Sequence, residues 1–194
     1  MIDQMFGRKL KQTQIFTETG QKIPVTIVSV LSHKVYQIKT KEKDGYKSVK
    51  VFLDENKKKT TKKLLREIRL KNDEELPEIG TEILSSSVFN TGDLISVSGI
   101  TKGKGFQGGV KRHGFSGGPK THGQSDRLRG PGSIGSTTTP GRVYKGKRMA
   151  GHMGAVRATV RGLKVVRIDE EERQIVIKGL VPGPANNLII IKKQ

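Results

Sequence analysis

The feature that most limits the folds open to this chain is a glycine-rich stretch in its second half, which includes GKGFQGGVKRHGFSGG at residues 103–118. Seven of those sixteen residues are glycine, and each glycine inside a helix costs about 0.5–1 kcal/mol relative to alanine. A strand of the same composition would have few side chains to pack. We therefore expect this stretch to form little regular structure by itself.

Charge is concentrated in the same part of the chain. The whole sequence of 194 residues has 37 Lys and Arg against 18 Asp and Glu, a formal net charge of +19. Residues 101–162 hold 13 of the basic residues, 16 of the 24 glycines and a single acidic residue, Asp126, so they carry +12 of that charge. Such an excess predicts a polyanionic partner, with nucleic acid first and an anionic membrane surface second.

Several other classes of protein are disfavoured by the composition. No apolar run approaches the roughly 18–20 residues that span a bilayer, and the N-terminal residues show no apolar core of a secretory signal. The chain has no cysteine, which excludes disulfides and thiolate zinc sites. We expect a protein of the cytoplasm with no membrane partner.

The sequence on either side of the glycine-rich stretch is typical of antiparallel β structure. Runs of β-branched residues alternate with polar ones and are separated by turn signals such as NTGD and PGPANN. Short strands at hairpin spacing predict a small barrel or sandwich. The predicted strands are IPVTIVSVL (23–31), VYQIKT (35–40), YKSVKVFL (46–53), residues 94–98, LKVVRI (163–168), QIVIKGLV (174–181) and LIIIKK (188–193).

Two segments are ambiguous. KKLLREIRLK (62–71) fits a helix by its spacing and a strand by its neighbours, so both remain open. The preceding NKKKTTKK (56–63) is a basic run without an apolar anchor, which is typical of a solvated loop. We favour phosphate contact there because the whole chain is basic.

Residues 101–154 are predicted to form an extension that folds against something outside the protein. Their few aliphatic and Phe residues follow no regular period and cannot close a core. The segment is too long for an ordinary loop, and its glycines, histidines and arginines do not repeat. We therefore assign residues 1–100 and 155–194 to a β-barrel domain, and 101–154 to a long, non-globular extension rich in Gly, Arg and Lys.

The chemistry of the extension favours folded RNA. Glycine lets backbone N–H groups approach phosphate oxygens, and Phe or His rings can stack on unpaired bases. A reader of duplex DNA would normally present a basic amphipathic helix, which is not visible here. The cations at short intervals are Lys102, Lys104, Lys111, Arg112, Lys120, Arg127 and Arg129, and the candidate stacking rings are Phe106, Phe115, His113 and His122.

Catalytic and cofactor sites have weaker support. Residues 103–108 match G-x-G-x-x-G after a predicted strand, but we expect no helix to follow and no βαβ unit nearby, so a dinucleotide site is disfavoured. His113 and His122 have only Asp126 as a nearby carboxylate, too few ligands for a metal. One acidic residue also makes acid–base catalysis improbable. We predict no enzyme activity, no cofactor, no metal and no small-molecule substrate.

The central run SGITKGKGFQGGVKRHGFSGGPKTHG, followed by RLRGPGSIGSTTTPGRVYKGKRMAGHMGAVRATVRGL, strongly resembles the family of the universal third protein of the large ribosomal subunit, in its bacterial or organellar form. The opening GRKLKQTQIFTETGQKIPVTIV and the ending LKVVRIDEEERQIVIKGLVPGPANNLIIIK are similar to the same family. The resemblance covers almost the whole chain, and the central run is specific among ribosomal sequences.

The resemblance implies a mainly β fold with a translation-protein-type β-barrel, and an extension that reaches through large-subunit rRNA toward the peptidyl-transferase centre. It also implies an early role in subunit assembly, large-subunit proteins as neighbours, and a location in cytoplasmic ribosomes. In the family pattern, residues 102–112 match the basic entry of the extension, and 145–154 match the stretch nearest the catalytic RNA. The residues predicted to bind RNA are Arg8, Lys9, Lys102, Lys104, Phe106, Lys111, Arg112, His113, Lys120, His122, Arg127, Arg129, Arg142, Lys145, Lys147, Arg148, His152 and Arg157.

The chain departs from the family pattern in two places that bear on RNA binding. His152 stands where bacterial members often have a glutamine, so amide methylation of that glutamine is impossible here. The chain is also shorter than the family pattern between Leu53 and Leu64, where a basic piece is missing, and we expect NKKKTTKK to be a reduced substitute for it. Two alternatives stay open: a nucleic-acid chaperone outside the ribosome, and, as the weakest, a nucleotide-dependent enzyme.

Overall fold

The computed structural model describes residues 2–54, 64–70 and 77–194, and over these the prediction of a mainly β protein is confirmed. The basic run NKKKTTKK lies outside the described residues. The strands are β1 (Gln4–Phe16), β2 (Lys22–Val30), β3 (Ser32–Lys39), β4 (Ser48–Asp54), β5 (Leu64–Arg69), β6 (Glu82–Ile83), β7 (Leu94–Ile100), β8 (Gly105–Gln107), β9 (Gly151–Met153), β10 (Arg157–Asp169), β11 (Gln174–Lys178) and β12 (Leu188–Lys193). The short helices are α1 (Lys41–Asp44), α2 (Ser85–Val88) and α3 (Gly109–His113).

The chain divides into two compact units. One consists of Met1–Thr101 together with Arg157–Gln194, and the other is Lys102–Val156. We call the first the barrel unit and the second the basic unit. None of the helices that the structure describes is long and apolar enough to cross a membrane.

Six strands of the barrel unit form a closed ring. Their order is β1–β12–β7–β10–β11–β2, and β2 pairs back onto β1, so each strand of the ring has two antiparallel neighbours. Closure removes the unpaired edges that an open sheet would expose. Ser98 and Thr159 are register partners on β7 and β10, and their hydroxyl oxygens lie 2.7 Å apart.

The barrel core follows from the alternation that the sequence shows. Every second residue of a strand faces the same side, and on β11 this places Ile175 and Ile177 inside, both with no exposed surface. Ile189 and Ile191 on β12 do the same. The remaining buried members of this cluster are Met5, Val28, Val30, Val88, Phe89, Ile95, Val97, Val165 and Val181.

A second sheet, with the order β5–β4–β3–β6, covers another buried cluster in the same unit. It settles the ambiguity of residues 62–71, because residues 64–69 pair antiparallel with β4 and Ile68 lies opposite Val49. A strand is favoured over a helix there since β4 offers both a backbone partner and an apolar face. The buried members are Phe6, Leu31, Val35, Val49, Val51, Leu53 and Ile68.

One histidine, His33, is completely buried beside this second cluster. His33 has no exposed surface and stacks on the Phe6 ring with centroids 5.9 Å apart. Its Nε2 accepts a hydrogen bond of 2.8 Å from the Phe6 N–H, while Nδ1 lies 2.6 Å from the Leu31 carbonyl oxygen and must donate to it. Burial lowers the pKa of His33 from 6.5 to about 4. His33 is therefore a neutral member of the core.

Candidate nucleic-acid interface

The basic unit begins and ends in the two strands of a small antiparallel sheet, which we call the hairpin. Strands β8 and β9 pair antiparallel, with Gly105 opposite Met153 and Gln107 opposite Gly151. The Lys104 N–H extends the pairing with a 2.9 Å bond to the Met153 carbonyl oxygen. Gly154 follows with a φ of +77°, and a Cβ at this position would collide with the carbonyl oxygen of Lys102. Glycine at 154 thus permits the positive φ and lets the last residues of the basic unit pass close to its first residues.

Two residues predicted to bind RNA become neighbours in this hairpin. Phe106 and His152 are register partners, so their side chains share one face of the two-stranded sheet. The Phe106 side chain is 76% exposed, and His152 is exposed as well. A large ring left open to water beside a second ring is a surface on which an unpaired base can stack.

A short helix follows the hairpin strand, and this corrects the expectation that none would follow GKGFQG. The glycines at the start and end of helix α3 allow it to form, because one makes room for a neighbouring ring and the other ends the helix. Gly109 is buried against Phe115, whose ring would lie 2.9 Å from an added Cβ. Gly114 ends the helix at a φ of +73°, with its N–H bonded to the Val110 carbonyl oxygen at 3.1 Å.

The G-x-G-x-x-G match nevertheless gives no dinucleotide site. Strand β8 pairs antiparallel with β9, in a two-stranded sheet. The helix that follows has five residues, and a dinucleotide fold needs a full βαβ crossover between parallel strands. In the part of the chain that the structure describes, no group of three or more His, Asp or Glu side chains could hold a metal ion.

Two residues of α3 that were predicted to bind RNA, Arg112 and His113, form hydrogen bonds within the protein. The Arg112 guanidinium donates through Nη1 to the Met149 carbonyl oxygen at 2.6 Å, and His113 Nε2 lies 2.9 Å from the same oxygen. Because a carbonyl oxygen can only accept, Nε2 carries the ring proton in this bond. Both side chains are half-buried. They hold α3 to the chain just before β9 and so position residues 145–150.

A groove of about 790 Å3 opens in the basic unit. Its wall includes the cations Arg127, Lys147 and Arg148, the Phe115 ring and a series of glycines, and no carboxylate lines it. One side is shaped by a 2.9 Å bond from the Gly118 N–H to the Leu128 carbonyl oxygen. A positively lined groove with accessible backbone suits a phosphate-bearing chain.

Most of the predicted contacts lie on the surface of their units. In the basic unit the exposed contacts are mostly Lys and Arg residues, whose long side chains can move to reach a phosphate. Arg157, the first residue of β10 in the barrel unit, is exposed too. The exposed set is Lys102, Lys104, Phe106, Lys111, Lys120, His122, Arg127, Arg129, Arg142, Lys145, Lys147, Arg148, His152 and Arg157.

The two predicted contacts on β1 are placed differently. Lys9 is 8% exposed, and its ammonium donates to the carbonyl oxygens of Val181 and Gly183 at 2.7 and 2.9 Å. An ammonium held by two carbonyl oxygens stabilises the barrel unit, and the contact of Lys9 with RNA stays a prediction. Arg8 is half-buried and donates through Nη1 to the Asn186 carbonyl oxygen.

Three functional features were not predicted from the sequence: the hairpin, the bonds to Met149, and the groove. All three join residues that are distant along the chain. The individual side chains at these places were predicted as contacts, but their arrangement was not: Arg127, Lys147 and Arg148 at the groove, Phe106 and His152 at the hairpin, and Arg112 and His113 at the bonds to Met149. The local sequence signal near these three features is glycine, such as Gly154 beside the second hairpin strand, whose positive φ becomes visible only in the structure.

Comparison with known proteins gives consistent matches. The family model described as Ribosomal protein L3 matches residues 71–176. The "Large ribosomal subunit protein uL3" of Vibrio parahaemolyticus is 45% identical over 203 residues, covering 97% of this chain and 96% of that protein. The protein of the same name from Dehalococcoides mccartyi is 46% identical over 204 residues, covering 100% and 98%. A third, from Aliivibrio fischeri, is 45% identical with coverage of 97% and 96%.

Proposed function

Because the chain belongs to the ribosomal protein L3 family, we propose that it is a structural component of the large ribosomal subunit that binds large-subunit rRNA directly. The observation that carries this proposal is the basic unit. Residues 102–156 contain 11 Lys and Arg against one acidic residue, and none of them belongs to either buried apolar cluster of the described residues. The relatives of the whole chain are ribosomal proteins rather than enzymes.

Phosphate neutralisation supplies most of the affinity in this proposal. Each cation that pairs with a phosphate releases a counterion, so binding weakens steeply as salt rises. The groove lined by Arg127, Lys147 and Arg148 accepts a stretch of RNA backbone, and glycine N–H groups add hydrogen bonds to phosphate oxygens. This component carries no sequence information.

Fit to one particular RNA comes from the hairpin. The exposed Phe106 ring and the neighbouring His152 take an unpaired base of folded rRNA by stacking. Arg112 and His113 act through Met149 by holding residues 145–150 in place, so they are positioning residues rather than phosphate contacts. Residues 145–154 are the part that we propose to lie nearest the peptidyl-transferase centre, as the family resemblance implies.

The barrel unit has the complementary role of docking on the subunit. We propose that its ring of six strands is a barrel of the translation-protein type, and that it contacts neighbouring large-subunit proteins in cytoplasmic ribosomes. Early binding to rRNA would make the chain a nucleation point for subunit assembly. The chemistry of the chain is that of binding, with no catalytic step.

The test is sedimentation of the full chain and of a variant whose basic unit is replaced by a short Gly-Ser linker. Ile100 and Arg157 are register partners on β7 and β10, so a linker between Thr101 and Arg157 closes an ordinary hairpin and spares the barrel. Circular dichroism and thermal melting of the variant serve as the folding control.

We expect the full chain to stay with large subunits through sucrose gradients at moderate and high salt, and the variant to be washed off at high salt. A full chain that runs free of subunits at both salt concentrations would refute the proposal. That outcome would favour the alternative of a nucleic-acid chaperone outside the ribosome, which binds many RNAs with similar affinity.

A further inference from the structure

A second groove, of different character, opens in the barrel unit. Its volume is about 330 Å3. The floor is apolar and includes Leu31, Ile83 and Leu84, and the Leu84 side chain is 54% exposed. We call it the acidic groove, because three glutamates, Glu82, Glu170 and Glu171, line its rim.

The negative charge of the acidic groove is only partly balanced. Arg173 is the single cation among its lining residues, and its Nη2 lies 3.3 Å from Glu82 Oε1. The Ser32 hydroxyl donates to the same oxygen at 2.6 Å. Glu82 is thereby fixed and paired, while Glu170 and Glu171 stand exposed in the turn between β10 and β11. Two carboxylates are left to face an incoming ligand.

This arrangement is unexpected in a chain of net charge +19. The turn sequence DEEER, residues 169–173, holds four of the 18 acidic residues of the whole protein. Like charges repel, so RNA phosphates are disfavoured at the acidic groove. The apolar floor adds a second requirement, because exposed Leu84 gains from burial under an aliphatic side chain.

We propose that the acidic groove docks a segment of another protein that carries Lys or Arg beside an aliphatic residue. The cations of that segment meet Glu170 and Glu171, and its aliphatic side chain covers Leu84. Charge complementarity fixes the class of partner as a basic protein segment, since such a segment is attracted here and repelled by most of the remaining surface. The proposal rests on the proposed function and deepens it, because it assigns the protein contacts of the barrel unit to one surface and gives the chemistry of the partner.

The first experiment uses the purified full chain and a fluorescent peptide that alternates lysine and leucine. Wild type is compared with the double variant Glu170→Lys, Glu171→Lys. A matched control, Glu18→Lys with Glu42→Lys, makes the same change in net charge at two exposed residues outside the groove. Both variants raise the general repulsion of a basic peptide equally, so any difference between them reports on the acidic groove.

We expect wild type and the control to bind the peptide with similar affinity, and the groove variant to bind about tenfold more weakly or worse, since two exposed ion pairs are lost and replaced by repulsion. Equal binding by the two variants, or no binding by wild type, would overturn the proposal. This measurement needs no ribosome, so its failure is distinguishable from a failure of the proposed rRNA binding.

The second experiment places a photo-crosslinking amino acid at Leu84 in assembled large subunits. A crosslink to a Lys- and Arg-rich segment of a neighbouring protein is the expected product, and it should disappear when Glu170 and Glu171 are changed to Lys. A crosslink to rRNA, or none to protein, would contradict the assignment.

Discussion

The two units of this protein solve the problem of folding in opposite ways. In the barrel unit, alternating Val and Ile residues face inward, and six strands close a ring around them. In the basic unit, the large apolar side chains Phe106, Ile134 and Tyr144 remain 44–76% exposed, and glycines with hydrogen bonds between loops replace a core. The first unit is organised by its own hydrophobic core, and the second leaves its large side chains exposed, as the proposed binding to rRNA requires.

The same residue type has a different role in each unit. A lysine in the barrel unit, such as Lys9, satisfies backbone carbonyls, while a lysine in the basic unit, such as Lys147, lines an open groove. An isoleucine in the first unit is core, and Ile134 in the second is half exposed. Substituting the same residue type in each unit therefore tests whether the two units differ in this way.

The largest expected difference is between two isoleucines. Ile177→Ala removes a side chain with no exposed surface from the barrel core and should lower the free energy of unfolding by about 2–5 kcal/mol. Ile134→Ala, at a residue 44% exposed, should change it by less than about 0.5 kcal/mol. Urea unfolding of the RNA-free chain measures both. Similar losses for the two variants would mean that the basic unit has a core of its own.

The next effect is a dependence of stability on pH. His33 has its pKa lowered to about 4 by burial, against 6.5 in the unfolded chain. Its contribution is fully present above pH 6.5 and is lost as the pH falls toward 4, because protonation then favours the unfolded state. The difference of pKa corresponds to about 3 kcal/mol. Urea unfolding between pH 7 and pH 4 measures it.

His33→Gln provides the control for this titration, since glutamine cannot take up a proton in that range. The gap in stability between wild type and the variant should narrow as the pH falls from 6.5 to 4. A gap that stays constant over this interval would show that the buried ring does not resist protonation.

A smaller difference in unfolding free energy is expected between variants of Lys9 and Lys147. Lys9→Met leaves the carbonyl oxygens of Val181 and Gly183 without the ammonium donor, and we expect a loss of about 1–3 kcal/mol in unfolding free energy. Lys147→Met should leave the melting temperature unchanged. It should instead weaken rRNA binding and reduce the slope of log K against log salt by about 1. The reverse pattern would exchange the roles given to these lysines.

The smallest effect compares two glycines that share a positive φ. Gly146, at +78°, has no atom within 4 Å of an added Cβ, whereas at Gly154 that atom would collide with the Lys102 carbonyl oxygen. Gly146→Ala should cost about 1 kcal/mol, from φ alone. Gly154→Ala should cost more and should accelerate hydrogen exchange of the Lys104 amide, which bonds to Met153. Unchanged exchange in Gly154→Ala would show that the hairpin tolerates a side chain there.

Prediction from the sequence succeeds where the signal is local. The β-branched runs in IPVTIVSVL and LIIIKK are enough to place β2 and β12, because the preference of β-branched side chains for strands acts within the segment itself. It failed to find β1, whose second half, from Lys11 onward, is largely exposed and polar. That strand exists because β2 and β12 supply hydrogen-bond partners on either side.

The candidate site was predictable in composition but not in arrangement. Charge and rings identify Lys104, Phe106 and Arg148 without any structure. The pairing of Phe106 with His152, and the bonds from α3 to Met149, depend on residues that approach only through the folded chain. Sequence also treated Lys9 as one more cation, because burial among backbone carbonyls leaves no trace in the local pattern.

The most direct test of the central claim is the salt dependence of binding to purified large-subunit rRNA, measured for the full chain and for the variant with a linker in place of residues 102–156. If the basic unit carries the RNA contacts, the full chain will show a steep slope of log K against log salt, and the variant will lose most of it while keeping the cooperative melting of a folded barrel. A variant that keeps both the affinity and the slope of the full chain would contradict the account.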